Sequence, residues 1–152
     1  MKNLLPAVFL FICVVFAMPA MADDDYISKP SAHSVSVTID RLENALKAKG
    51  ITVFARVDHA AGAASVGEQL ADSQLLIFGN PKLGTPLMQE KALVGLDLPM
   101  KALAWKDARG QVWLSYLKPS ELQNRHDLMN SGVIAKMTGA LDGLTSKAAG
   151  KD

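Results

Sequence analysis

Val35, Ile39, Leu42 and Leu46 recur at spacings of four, three and four residues, which puts them on one face of a helix. Ser34 or Ser36 offers a side-chain oxygen to cap its start, and Gly50 offers the left-handed residue that ends it. Lys47 and Lys49 in the last turn complement the helix dipole. The period then falls to two. Ile51-Thr52-Val53-Phe54-Ala55-Arg56-Val57, β-branched and aromatic with alternate positions apolar, reads as a strand that Asp58-His59 ends. Ala60 to Leu70 is a small-residue segment suited to a short helix. Gln74 to Phe78, apolar from Leu75 onward, reads as a buried strand that stops at a loop of turn-formers and one cation. Thr85-Pro86 reads as an N-cap followed by proline at the first helical position, and predicts a helix reaching about Leu93.

Leu98 to Lys106 and Gln111 to Leu117 are strands joined by Asp107-Ala108-Arg109-Gly110, with Gly110 placed for a bulge-type hairpin turn. Trp105 and Trp113 stand symmetrically about that turn, which predicts a cross-strand pair contributing about 0.2–1 kcal/mol. Pro119-Ser120-Glu121-Leu122 opens another short helix, and Val133, Met137, Leu141 and Leu144 mark a long C-terminal amphipathic helix ending near Ala148. The order helix, strand, helical segment, strand, helix, hairpin, helix predicts an α+β fold. Its form is an antiparallel sheet with helices packed on one face, the first and last helices sharing that face.

The first residues follow a different logic. Lys2 is a positive start, Leu4 to Phe16 is an apolar run, and Ala20-Met21-Ala22 is a small-residue cleavage site before Asp23. Residues 1–22 therefore read as a bacterial signal peptide cleaved after Ala22, its apolar run being too short for a spanning helix. The expectation is a periplasmic or secreted protein whose mature chain has no transmembrane segment. Residues 23–33 read as a loosely tied N-terminal segment, and residues 34–148 as a single domain. Cys13 is the only cysteine, it lies inside the apolar run, and Ile12 before it rules out a lipobox. The mature chain can form no disulfide, so its stability has to come from a packed core. The whole chain carries 16 Lys plus Arg against 15 Asp plus Glu. That balance excludes the basic excess that nucleic acid or an anionic membrane would demand.

The loop after the buried strand is the first-choice site. Gly84 allows close backbone approach, Asn80, Lys82 and Thr85 add polar and positive groups, and a helix N-terminus offers N–H groups. Together these suit a small anionic ligand. The competing reading is a rigid turn in which Asn80 and Thr85 cap backbone groups. His59, at a strand end, stands where an acid, base or ligand could stand; a histidine bonding a loop backbone explains it as simply. Adjacent strand residues point to opposite faces, so Asp58 is not expected to orient His59. Asp97 and Lys101 read as structural charges, and Arg125-His126-Asp127 as a helix terminus. No G-x-S-x-G elbow surrounds a serine. His33, His59 and His126 are scattered, so no metal site is predicted. Met88, Met100, Met129 and Met137 read as core filling. No cofactor is indicated.

Ile51 to Ala61, then Leu75-Leu76-Ile77-Phe78-Gly79-Asn80-Pro81-Lys82-Leu83-Gly84-Thr85-Pro86-Leu87-Met88, then Leu96 to Trp105 and Val112 to Tyr116 closely resemble the DUF302 family. The likeness runs in order from about Ser34 to Leu128. It implies a compact α+β domain and a homodimer, but carries no catalytic residues, since the family's name declares its function unknown. Three readings follow. The first is a noncatalytic exported module that binds a small ligand or a protein. The second is an enzyme of unassigned type that uses the Asn80-Pro86 loop with His59 as acid or base. The third is a structural dimerisation module.

Overall fold

The structure is a computed structural model and describes residues 25–150; the signal-peptide reading of residues 1–22 lies outside the described residues. Among these, the chain forms β1 (Tyr26–Ser31), α1 (Val35–Ala48), β2 (Thr52–Asp58), α2 (His59–Ser65), β3 (Ser73–Gly79) and α3 (Pro81–Glu90). A 3-10 turn (Ala92–Leu96), β4 (Met100–Lys106), β5 (Val112–Leu117), α4 (Pro119–His126) and α5 (Ser131–Ala148) complete it. The 5-stranded sheet has the order β1-β5-β4-β3-β2, and every neighbouring pair is antiparallel. The α+β architecture and the long C-terminal helix are as the pattern predicts.

Helix α1 forms for the reasons read from its sequence. The Ser34 hydroxyl accepts the Val37 N–H at 3.3 Å, and Gly50 ends the helix at φ +67°, where its N–H donates to the Lys47 carbonyl. Val35, Ile39, Leu42 and Leu46 are all buried. They pack over a sheet face whose buried positions include Leu76 and Phe78 on β3, Ala102 and Ala104 on β4, and Leu114 and Tyr116 on β5. Helix α5 lies against α1 on this same face and brings in Ile134, Met137 and Leu141.

Residues 26–31 depart from the sequence reading. They are not loosely tied: β1 pairs with β5 from Tyr26 opposite Leu117 to Ser31 opposite Val112. Lys29 and Pro30 disguise this strand as polar loop. The Lys29 side chain is mostly buried, and its Nζ donates to Asp142 Oδ1 at 2.7 Å and to Ser146 Oγ at 2.8 Å. A buried ammonium is tolerated only when paired in this way. The partners sit on α5, more than a hundred residues away in sequence.

Neither α1 nor α5 covers the opposite face of the sheet. It presents Leu75 and Ile77 of β3, Leu103 and Trp105 of β4, and Trp113, Ser115 and Leu117 of β5. Trp105 and Trp113 are directly opposed and stack with centroids 6.5 Å apart. Both indole N–H groups are satisfied within the domain: Trp105 Nε1 donates to Ser115 Oγ at 2.9 Å, and Trp113 Nε1 to Asp107 Oδ2 at 3.1 Å. The second bond, helped by the Gln111 and Arg109 N–H groups, holds the Asp107 carboxyl below its usual range and pins the hairpin turn.

Candidate functional site

The end of β3 is where the structure builds a cleft, and the first cause is a proline choice. Two sequence signals compete for the start of α3: Asn80-Pro81 and Thr85-Pro86. The first wins. Asn80 is the N-cap, its Oδ1 accepting the Lys82 N–H at 3.0 Å, and Pro81 is the first helical residue. Thr85 is therefore not a cap, and Pro86 sits inside the helix. Pro86 cannot donate to the Lys82 carbonyl one turn back, an interior position that disfavours helix by up to about 3 kcal/mol. Substituting Pro86 by Ala restores that donor, while freeing the unfolded chain offsets about 0.4–1 kcal/mol of the gain. The expected outcome is a net stabilisation of about 1–2 kcal/mol in urea unfolding; a loss of stability would show that the ring packs for a purpose the backbone ledger omits.

This start also changes the chemistry of the loop. The sequence expectation was a row of free N–H groups for an anion. Pro81 has none, Lys82 N–H is taken by the Asn80 side chain, and the Leu83 and Gly84 N–H groups donate to the Asn80 carbonyl at 2.9 and 3.0 Å. The first turn thus satisfies itself. Of the anion-binding features, only the exposed Lys82 side chain remains.

Beside this turn lies a cleft of about 230 Å³. Helix α3 forms one wall with Leu83, Gly84, Thr85 and Met88; α5 forms the other with Met137, Ala140, Leu141 and Leu144. Phe78 and Met100, the paired ends of β3 and β4, line it between these walls, with Ile51, Leu98 and Pro99 closing its sides. Gly84 is a gap in the α3 wall. A Cβ there would meet Leu98 Cδ1 at 3.5 Å and Met88 Cε at 3.9 Å, so any larger side chain enters the cleft.

One lip is made by Phe54. The β2–β3 register slips between Val53 and Ala55, so that Phe54 has no partner across the ladder. Such a bulge re-aims a side chain. The Phe54 ring lies over Gly79, where a Cβ would come within 3.2 Å of it, and remains 56 % exposed. Met88, at 40 % exposure, is the other large hydrophobic residue of the lining that stands exposed. No lining side chain carries a charge, and only Asn80 and Thr85 are polar.

Of the residues singled out from sequence, Asn80, Gly84 and Thr85 line this cleft, and Lys82 stands one residue away on the exposed side of α3. His59 does not join them. It begins α2 just beyond Asp58, which pairs with Gln74 at the start of β3, whereas Asn80 follows Gly79 at the strand's far end. At about 3.3 Å per residue the two ends are about 17 Å apart. Asp58 is also engaged elsewhere: its carboxylate accepts the Ala61 N–H and the Gln74 side-chain amide, both at 2.9 Å. Those bonds, the Ala61 one foremost, lower its pKa.

Sequence reasoning missed a second grouping at the cleft's end of the sheet. His126 Nε2 and Asp97 Oδ2 lie 2.7 Å apart, and Arg125 reaches both Asp25 at 2.9 Å and Asp97 at 3.8 Å. Lys101 gives its protons to the Asp97 and Pro99 carbonyls, not to a carboxylate. This cluster ties α4 and the entry to β1 against the segment that leads into β4. Among the described residues no group of three or more His, Cys, Asp or Glu is arranged to hold a metal, and no helix is long and apolar enough to cross a membrane.

Comparison with known proteins bears on the fold and on the family. The family described as "Domain of unknown function DUF302" matches residues 27–144. A solved structure of an uncharacterized conserved DUF302 protein from Bacillus stearothermophilus superposes with a TM-score of 0.74 over 82 % of this chain and 98 % of that one, at 20 % identity; it shows the shared fold. Two proteins named fluoride-specific ion channel FluC 1, from Brucella suis and Brucella abortus, are 44 % identical over 136 residues. That match takes in 89 % of this chain but 54 % and 50 % of theirs, so the chain spans about half the length of these relatives.

Proposed function

The chain belongs to the DUF302 family, whose function is unknown, and from that premise we propose that it is a noncatalytic, exported module that binds a small ligand in the cleft between α3 and α5. One observation carries the reading: a cleft of about 230 Å³ at a strand end, lined mostly by apolar groups, with Asn80 and Thr85 as its polar side chains and the adaptable Met88, Met100 and Met137 among the rest. Small-molecule sites are concave and largely apolar, and methionines fill such spaces without dictating one occupant. Export rests on the Lys2, Leu4–Phe16 and Ala20-Met21-Ala22 pattern. The channel activity in the Brucella names is not carried over to a chain spanning about half their length. The enzyme alternative needed His59 beside the Asn80-Pro86 loop, and the two stand at opposite ends of the sheet.

The test is a fluorescence titration with naphthalene, a neutral apolar probe close in size to what a cleft of about 230 Å³ holds by proportion to a cavity of about 150 Å³ that accepts benzene. One saturable site per chain is expected, together with its loss in Gly84→Leu. That variant fills the gap in the α3 wall while improving helix propensity by about 0.8–1 kcal/mol. No saturable binding, or a Gly84→Leu protein that binds unchanged, would overturn the reading.

A specific observation also favours self-association. The uncovered sheet face is apolar at its centre, and its indole N–H groups and Ser115 hydroxyl are already paired within the domain. Dehydrating it strands no donor, the condition for a stable interface. A second copy fits, because a two-fold contact would oppose each charge near its axis with itself and the centre of this face carries none. This face has Leu75, Leu103 and Trp105 at its centre, with Lys101 toward one end.

A further inference from the structure

The cleft is lined without charge but with a spare hydrogen-bond donor. None of its lining side chains is ionisable, so a charged ligand would shed its hydration there and meet no counter-ion. Asn80 supplies the donor. An N-cap presents oxygen to the turn it caps, and Asn80 Oδ1 accepts the Lys82 N–H at 3.0 Å, which fixes the orientation of the whole amide. Both protons on Nδ2 are then left over, with no acceptor among the described residues. That amide is half-buried and lines the cleft, whereas Thr85, its other polar side chain, stands exposed where water competes for the hydroxyl. What the cleft asks of a ligand in hydrogen bonding is therefore an acceptor.

The rest of the lining selects for shape. By proportion to the cavity that accepts benzene, about 230 Å³ takes roughly nine heavy atoms. The thioethers of Met88, Met100 and Met137 and the rings of Phe54 and Phe78 line that space, and both kinds of group make favourable contacts with an aromatic ring. Phe54 is re-aimed by the bulge in β2, is largely exposed, and has no ring partner among the described residues. A rigid ring also binds without the loss of rotor freedom that a flexible chain of equal size would suffer. Resting on the cleft reading above, we infer that the ligand is a neutral aromatic carbonyl compound of about nine or ten heavy atoms. Its ring lies among the thioethers and phenyl groups, and its carbonyl oxygen accepts from Asn80 Nδ2.

Titration calorimetry with 1-indanone, indane, 2-nonanone and benzoate tests this, because the four are similar in size and differ in carbonyl, ring or charge. 1-Indanone should bind once per chain, roughly tenfold or more tighter than 2-nonanone and benzoate. Asn80→Ser keeps a capping oxygen, so the fold is retained, but withdraws the amide. It should weaken 1-indanone roughly two- to tenfold, the worth of one hydrogen bond, and indane by less than about twofold. Gly84→Leu should abolish the binding of both. If indane binds and 1-indanone does not, or Asn80→Ser weakens the two alike or neither, the carbonyl assignment falls while the cleft reading stands. Benzoate or 2-nonanone binding as tightly as 1-indanone would overturn it as well, the first by denying neutrality and the second by denying the ring. Should neither indane nor 1-indanone bind the parent protein, the cleft reading falls too.

Discussion

Leu42→Ala should cost about 2–5 kcal/mol of folding stability, the range for truncating a buried leucine to leave a cavity. The residue is fully buried at the middle of α1, on the stripe that faces the sheet. Its neighbours are regular secondary structure on both sides, so collapse onto the gap is restricted. A protein of this size is stable by only about 5–15 kcal/mol, so this single change removes a large share of the whole. Val37 of the same helix is 44 % exposed; Val37→Ala should stay within about 0.5 kcal/mol. Urea unfolding of both variants separates them. The Leu42→Ala midpoint should fall with little change in slope, and a shift no larger than that of Val37→Ala would mean that α1 is not docked as described.

That stripe was legible because a helix buries what recurs at its own period, and nothing distant had to be known. The hairpin was legible for a similar reason: Trp105 and Trp113 are symmetric about a short turn, and the structure pairs them. Where distant partners decide, the pattern fails. Tyr26–Ser31 holds Lys29 and Pro30 and looks like loop until Asp142 and Ser146 are known to receive the lysine. The start of α3 failed differently. Asn80-Pro81 and Thr85-Pro86 carry the same local signal, and only the fold decides which proline is first and which is carried inside.

The site was half legible. Asn80, Gly84 and Thr85 are at the cleft, but the N–H groups expected to face a ligand are taken up, because the oxygens of the asparagine accept them on the turn it caps. Met137, Leu141 and Leu144 read in the sequence as the apolar face of the C-terminal helix. Periodicity says which residues face inward, yet it cannot say that two inward faces stop short of each other. A cleft is what packing leaves over. The bulge at Phe54 is equally silent in the sequence, since it exists only relative to the partner strand.

Leu103→Lys should abolish the self-association proposed for the bare sheet face, weakening it by at least a hundredfold. Leu103 lies on β4, the central strand, on the face that α1 and α5 leave bare; across the ladders it is opposite Leu75 and Ser115. Two such sheets packed face to face would stand about 10 Å apart with side chains interdigitated, leaving no water for an ammonium group. Two-fold symmetry doubles the penalty, because each dimer would bury two lysines with no carboxylate opposite. Within a single chain Leu103 is half-buried on this face, and a lysine there can extend its charge into solvent, so the loss of folding stability should stay at about 1 kcal/mol. Light scattering over a wide concentration range, paired with urea unfolding, reads both quantities. A parent protein that stays monomeric throughout, or a Leu103→Lys variant that remains dimeric, would remove this face from consideration; dissociation accompanied by unfolding would show instead that Leu103 supports the fold itself.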